Sequence, residues 1–112
     1  MLKEKIVVFI TKMREETQRW LDKAEDDLKK ARDNCSIKHY DLASFLCQQA
    51  VEKALKAVLI EETEMFPKIH DLVKLGRLAN ISKDLLKECE KLTFVYVETR
   101  YPDVGNRSYT KY

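Results

Sequence analysis

The chain has 112 residues, 45% hydrophobic and 36% charged, with 21 basic against 19 acidic side chains and a net charge of +2. That length suits one domain with a single modest core, and the balance excludes both a disordered polyelectrolyte and a membrane protein. So mild a charge does not mark a nucleic-acid binder by composition, although it leaves room for a local basic patch.

The longest apolar run is "IVVFI" at 6–10, between Lys3, Glu4, Lys5 and Lys12. It is too short to span a bilayer or to serve as a secretory signal, and no small-residue cleavage site accompanies it, so a cytoplasmic protein is expected. From Ile6, apolar residues recur at steps of three and four through Phe9, Ile10, Met13, Trp20, Leu21, Ala24, Leu28 and Ala31. That spacing predicts a long amphipathic helix whose other face, with Arg19, Lys23, Asp26, Lys29 and Lys30, is solvated. Residues 1–19 form its N-terminal extension. A helix of this length either bends near 14–17 or packs its first half on a second chain, and an unbroken bundle helix is the simplest expectation.

Residues 33–38 break the period and read as a turn. A second helix then spans 39–61, and its wide apolar band, with the small residues Ala43, Ala50, Ala54 and Ala57, places it at the centre of a bundle. Its polar residues Gln48, Gln49, Glu52, Lys53 and Lys56 have two readings. They form a solvated edge carrying a Glu52–Lys56 i,i+4 pair, or the two lysines hold a phosphate as paired point charges.

Pro67 closes a loop, and "IHDLVKLGRLAN" predicts a short third helix with Ile69, Leu72, Val73, Leu75 and Leu78 inward. Ser82 is a good N-cap for a fourth helix, with Asp84 in its first turn and Leu85, Leu86, Cys89, Leu92, Val95 and Tyr96 on its apolar stripe. That helix ends by Arg100, because Pro102 disfavours the helical region at Tyr101. Residues 104–112 are a tail. With only two glycines and two prolines, the whole of 1–112 reads as a single all-α domain, an antiparallel up-and-down bundle of four helices.

Three cysteines, an odd number without regular spacing, imply reduced thiols. Cys35 and His39 are one weak half of a metal site, and Cys47 and Cys89 fall on apolar stripes, so neither a metal nor another cofactor is expected.

Several motifs occur in order: WLxxAxDDLxxA from Trp20 to Ala31, YxxAxFxxQQAVEKALKA from Tyr40 to Ala57, HDL at His70 to Leu72, and TRYPD from Thr99 to Asp103. Together they resemble the HEPN family (higher eukaryotes and prokaryotes nucleotide-binding), of prokaryotic type. The resemblance implies a bundle of four or five helices, with this chain lacking most of a fifth. It also implies a homodimer, a minimal nucleotidyltransferase as partner, in some cases as a toxin–antitoxin pair, and a nucleotide or RNA as ligand. Many relatives in the wider superfamily are ribonucleases with an Arg-x4-6-His motif. Here Arg100 is followed by no histidine, Arg107 meets Tyr112 where a histidine is needed, and Arg32 to His39 fits the spacing only at the first turn of the bundle. A non-catalytic module is therefore expected, and a ribonuclease with a non-standard site is the alternative.

The candidate nucleotide- or phosphate-binding residues are Lys53, Lys56, Arg100, Tyr101 and Asp103, brought together if the second and fourth helices are neighbours. Weaker candidates are His70, Asp71, Arg107 and Tyr112. His70 and Asp71 are either a cap and a packed residue or a base with its orienter, but adjacent helical residues point about 100° apart, which disfavours direct pairing. Arg107 and Tyr112 offer charge and stacking for a single strand.

Overall fold

The computed structural model describes residues 2–4, 13–65 and 67–100, and of Arg100 the backbone only. Four helices carry the fold: α1 (Glu15–Ser36), α2 (Tyr40–Thr63), α3 (Leu72–Leu78) and α4 (Lys83–Arg100). Among the described residues there is no strand.

The start of α1 corrects the expectation of one unbroken helix. Arg14 is extended (φ −62°, ψ 141°), and its N–H donates to Glu61 Oε1 at 3.0 Å instead of continuing a helical ladder. A second tie joins the Arg14 guanidinium to Glu64 at 2.7 Å. The predicted stripe at 6–10 lies outside the described residues. At its other end α1 runs through the predicted turn to Ser36, because Asn34 and Ser36 bond back to the carbonyls of Lys30 and Asp33. The turn is confined to 37–39, with Lys38 left-handed at φ 65°.

α2 returns antiparallel along α1, as the Arg14–Glu61 and Asp27–Lys53 contacts show. Glu64, left-handed at φ 59°, ends it by donating its N–H to Ile60. α3 begins three residues after its first predicted inward position, Ile69. Asp71 caps it by accepting the amides of Val73 (2.9 Å) and Lys74 (3.2 Å). Ser82 caps α4 as expected, its hydroxyl accepting Leu85 N–H.

The core forms where α2, α3 and α4 meet, from Leu55, Leu59, Leu72, Leu75, Ala79 and Cys89, with Ile69, Ile81 and Leu92 packed against it. Each buried leucine contributes about 1.5–3 kcal/mol. Gly76 allows the close approach of α3 to α4: a Cβ there would lie 2.7 Å from Ile81 Cδ1 and 2.9 Å from Leu86 Cδ2. Leu78 and Leu85, predicted inward, are exposed, since α3 and α4 turn Leu72, Leu75 and Cys89 to the core instead.

α4 lies against α2 and runs antiparallel to it, with the Ser44 and Thr99 hydroxyls 2.7 Å apart at one end and Leu55, Leu59 and Cys89 packed together further along. Phe45 stacks on Tyr96 with ring centroids 6.1 Å apart. α1 and α4 both flank α2 without meeting. α2 is thus the central helix, as expected, and a cleft of about 600 Å³ opens between α1 and α4 with α2 as its floor. Among the described residues no helix is long and apolar enough to cross a membrane.

Candidate functional site

A central helix packs polar residues against its neighbours, and α2 shows the consequence. Ser44, Gln48, Glu52 and Lys56, spaced by four, form one polar stripe, and all four are buried. This corrects the solvated-edge reading. The Ser44 hydroxyl meets Thr99 and the carbonyl of Asp41. The Gln48 amide oxygen finds no hydrogen-bond donor among the described residues.

Glu52 and Lys56 make the deepest charged contact. Lys56 Nζ donates to Glu52 Oε2 at 3.0 Å, and the two side chains are only 3% (Lys56) and 9% (Glu52) exposed. His70 Nδ1 lies 3.0 Å from the same oxygen. A carboxylate only accepts, so Nδ1 carries the shared hydrogen. The His70 side chain is otherwise 79% exposed, which leaves Nε2 toward solvent. The preceding Ile69 packs on the core and the following Asp71 caps α3, so the backbone is anchored on both sides of His70. Asp71 thus caps α3, and the carboxylate bonded to His70 is Glu52. Sequence reasoning missed this pair because the partners lie 18 residues apart.

Lys53 points the other way, toward α1, where its ammonium pairs with the Asp27 carboxylate. Lys53 and Lys56 are therefore each held by an internal acid on different sides of α2, and they do not form the paired phosphate clamp expected of them. The backbone of Arg100 lies toward the other end of α2. It follows Thr99, which faces Ser44. At 1.5 Å per residue, that end of α2 is about 14 Å from Lys53 and about 18 Å from Lys56. Tyr101, Asp103, Arg107 and Tyr112 lie outside the described residues, as does the Arg100 side chain.

Lys53 instead shares a hollow of about 330 Å³ with Arg19, Trp20 and Lys23 of α1. Arg19 and Lys23 are exposed and Trp20 is half-buried. The i,i+4 spacing of the two α1 cations puts them on one face beside the indole. The sequence signal was present, since Arg19 and Lys23 flank Trp20, but α1 periodicity assigned them to a plain solvated face.

The cleft between α1 and α4 is mainly apolar, lined by Leu28, Ala31, Tyr40, Val51, Leu92 and Val95, with Arg32 and Lys91 among its polar groups. Cys35 and Cys47 also line it. All three cysteines are free. Burial pushes the Cys47 thiol up from its ordinary value, and the neighbouring Cys35 adds to the effect. Burial likewise raises Cys89. Among the described residues no group of histidine, cysteine and acidic side chains is arranged to hold a metal ion.

These features define a class: an all-α bundle with a central helix that buries a charged stripe and turns one lysine toward a basic, tryptophan-bearing hollow. The HEPN domain pattern matches residues 17–111. The chain belongs to the HEPN family. No curated protein and no solved structure matches it.

Proposed function

We propose that this chain is a non-catalytic HEPN module of a prokaryotic cytoplasm, which forms a homodimer, pairs with a minimal nucleotidyltransferase in a toxin–antitoxin arrangement and binds a nucleotide. Family membership supports the nucleotide-related role and self-association. The observation that carries the non-catalytic reading is the position of the histidines. His70 is bonded to Glu52, about 12 Å along α2 from the Ser44–Thr99 contact that precedes Arg100. His39 is the N-cap residue of α2, in the first turn of the bundle. A late-helix arginine with a histidine beside it is therefore not assembled among the described residues.

One observation favours the ribonuclease alternative. An imidazole oriented by a buried carboxylate, with its second nitrogen toward solvent, has the form of a general base. Incubation with total RNA separates the two readings. No cleavage is expected, whereas cleavage abolished by His70→Ala would establish the Glu52–His70 pair as catalytic and overturn the proposal. Sedimentation tests the dimer, and co-purification with a nucleotidyltransferase encoded beside this gene tests the pairing. Calorimetric titration with ATP and GTP tests nucleotide binding, and an absence of heat with both would remove it.

A further inference from the structure

The geometry points to the Arg19–Trp20–Lys23–Lys53 hollow as the nucleotide site, taking a nucleoside polyphosphate with its base against the Trp20 indole and its phosphates among the three cations. The inference rests on the nucleotide-binding reading above and gives it a location. It does not depend on Lys56 or Arg100.

Three observations carry it. The hollow, about 330 Å³, is at the small end of ligand sites, which suits a single nucleotide better than a folded partner. Its lining combines an aromatic side chain with cations, the residue types that base stacking and phosphate neutralisation use. The charge is positive after internal pairing is counted. Asp27 is bonded to Lys53, and Asp26 is neutralised by its own contact with Lys30 at 2.9 Å. Arg19, Lys23 and Lys53 set against Asp27 leave a surplus of two positive charges.

The α1–α2 pairing fixes the site. Lys53 is held at the wall by Asp27, so its ammonium is positioned before any ligand arrives, while exposed Arg19 and Lys23 can swing to the phosphates. Preorganising one cation and leaving two mobile lowers the ordering cost of binding relative to three free lysine-like arms.

Trp20 is the only tryptophan in the chain, so indole fluorescence reports on this hollow alone, whereas calorimetry reports binding anywhere. Wild type and the Arg19→Ala/Lys23→Ala variant are titrated with ATP, GTP, adenosine and inorganic tripolyphosphate by both methods, with circular dichroism confirming the helical fold. Both substitutions are at exposed positions and leave the Lys53–Asp27 pair intact. The expected result is heat with ATP or GTP, matched by Trp20 quenching, and an affinity lower by about tenfold or more in the variant. Trp20→Leu should lose a similar factor while retaining tripolyphosphate binding. Heat without a change in Trp20 emission, and with unchanged affinity in the variant, places the nucleotide elsewhere; that overturns this site and leaves the nucleotide-binding reading standing. Tripolyphosphate binding as tightly as ATP with no quenching by either also overturns it, as a bare anion site. No heat with any nucleotide removes both.

Discussion

The Glu52–Lys56 contact allows a quantitative test of whether the polar stripe of α2 is truly inside the bundle. The two side chains are 9% and 3% exposed and bonded at 3.0 Å. Removing one partner takes the ion-pair contact from the other charge in a site that water scarcely reaches, a change that costs about 3–5 kcal/mol. Replacing both with apolar side chains of similar length removes the desolvation penalty along with the attraction, and such exchanges are close to neutral or stabilising. Lys56→Met and Glu52→Met should therefore each lower stability by about 3–5 kcal/mol. A domain of this size shifts by about 4–8 °C per kcal/mol, so the melting point should fall by roughly 12–40 °C. The double variant should recover most of that loss. Urea unfolding of the four proteins measures both the single effects and the coupling between them. Single losses below about 1 kcal/mol, the range of exposed pairs, would refute the reasoning and return these residues to the surface.

Gln48→Met should leave stability unchanged or raise it by about 1–2 kcal/mol in the same assay, because it deletes an amide oxygen that has no donor among the described residues. The Arg14 amide holds the Glu61 carboxyl below its ordinary value. Its stabilising effect is thus present above the ordinary carboxylate range and is lost as pH falls through the depressed folded value, so Glu61→Gln should show a shallower loss of stability on acidification. Cys47 and Cys89 are raised by burial, so their thiols stay protonated at neutral pH. Iodoacetamide followed by mass spectrometry should label exposed Cys35 first.

The helices were legible because few residues interrupt a strong period of three and four, and the turns fall near Pro67 and Ser82. Boundaries drifted where side-chain hydrogen bonds outweighed composition. Asn34 and Ser36 prolonged α1, Asp71 delayed α3, and the Arg14 amide left its own helix for Glu61. The candidate site was harder to read. Periodicity assigns polar residues to solvent, yet the same sequence placed α2 at the centre, where neighbouring helices cover much of its surface. Those two readings conflict, and the conflict was the available signal for the buried Ser44, Gln48, Glu52 and Lys56. Lys53 and Lys56 are three positions apart, about 300° round a helix, close enough to be neighbours on a surface. Packing separates them by giving each a different helix to face. Only tertiary structure says that Asp27 takes one and Glu52 the other.

A charged stripe that apolar residues could replace without loss must earn its place through what it positions. Ser44 meets Thr99 at one end of the stripe, and Glu52 meets His70 further along. The first contact fixes the register of α4 on α2, while the second ties the loop at 67–71 to the same helix. The Glu52→Met/Lys56→Met variant separates these roles, since it keeps the Ser44 contact and removes the hydrogen bond between Glu52 and the imidazole. Its global stability should match wild type, whereas amide exchange at Ile69, His70 and Asp71 should quicken and exchange along α4 should not change. Equal protection of the loop in both proteins would mean that Ile69 packing and the Asp71 cap hold it unaided, and Glu52 would then have no positioning role toward His70.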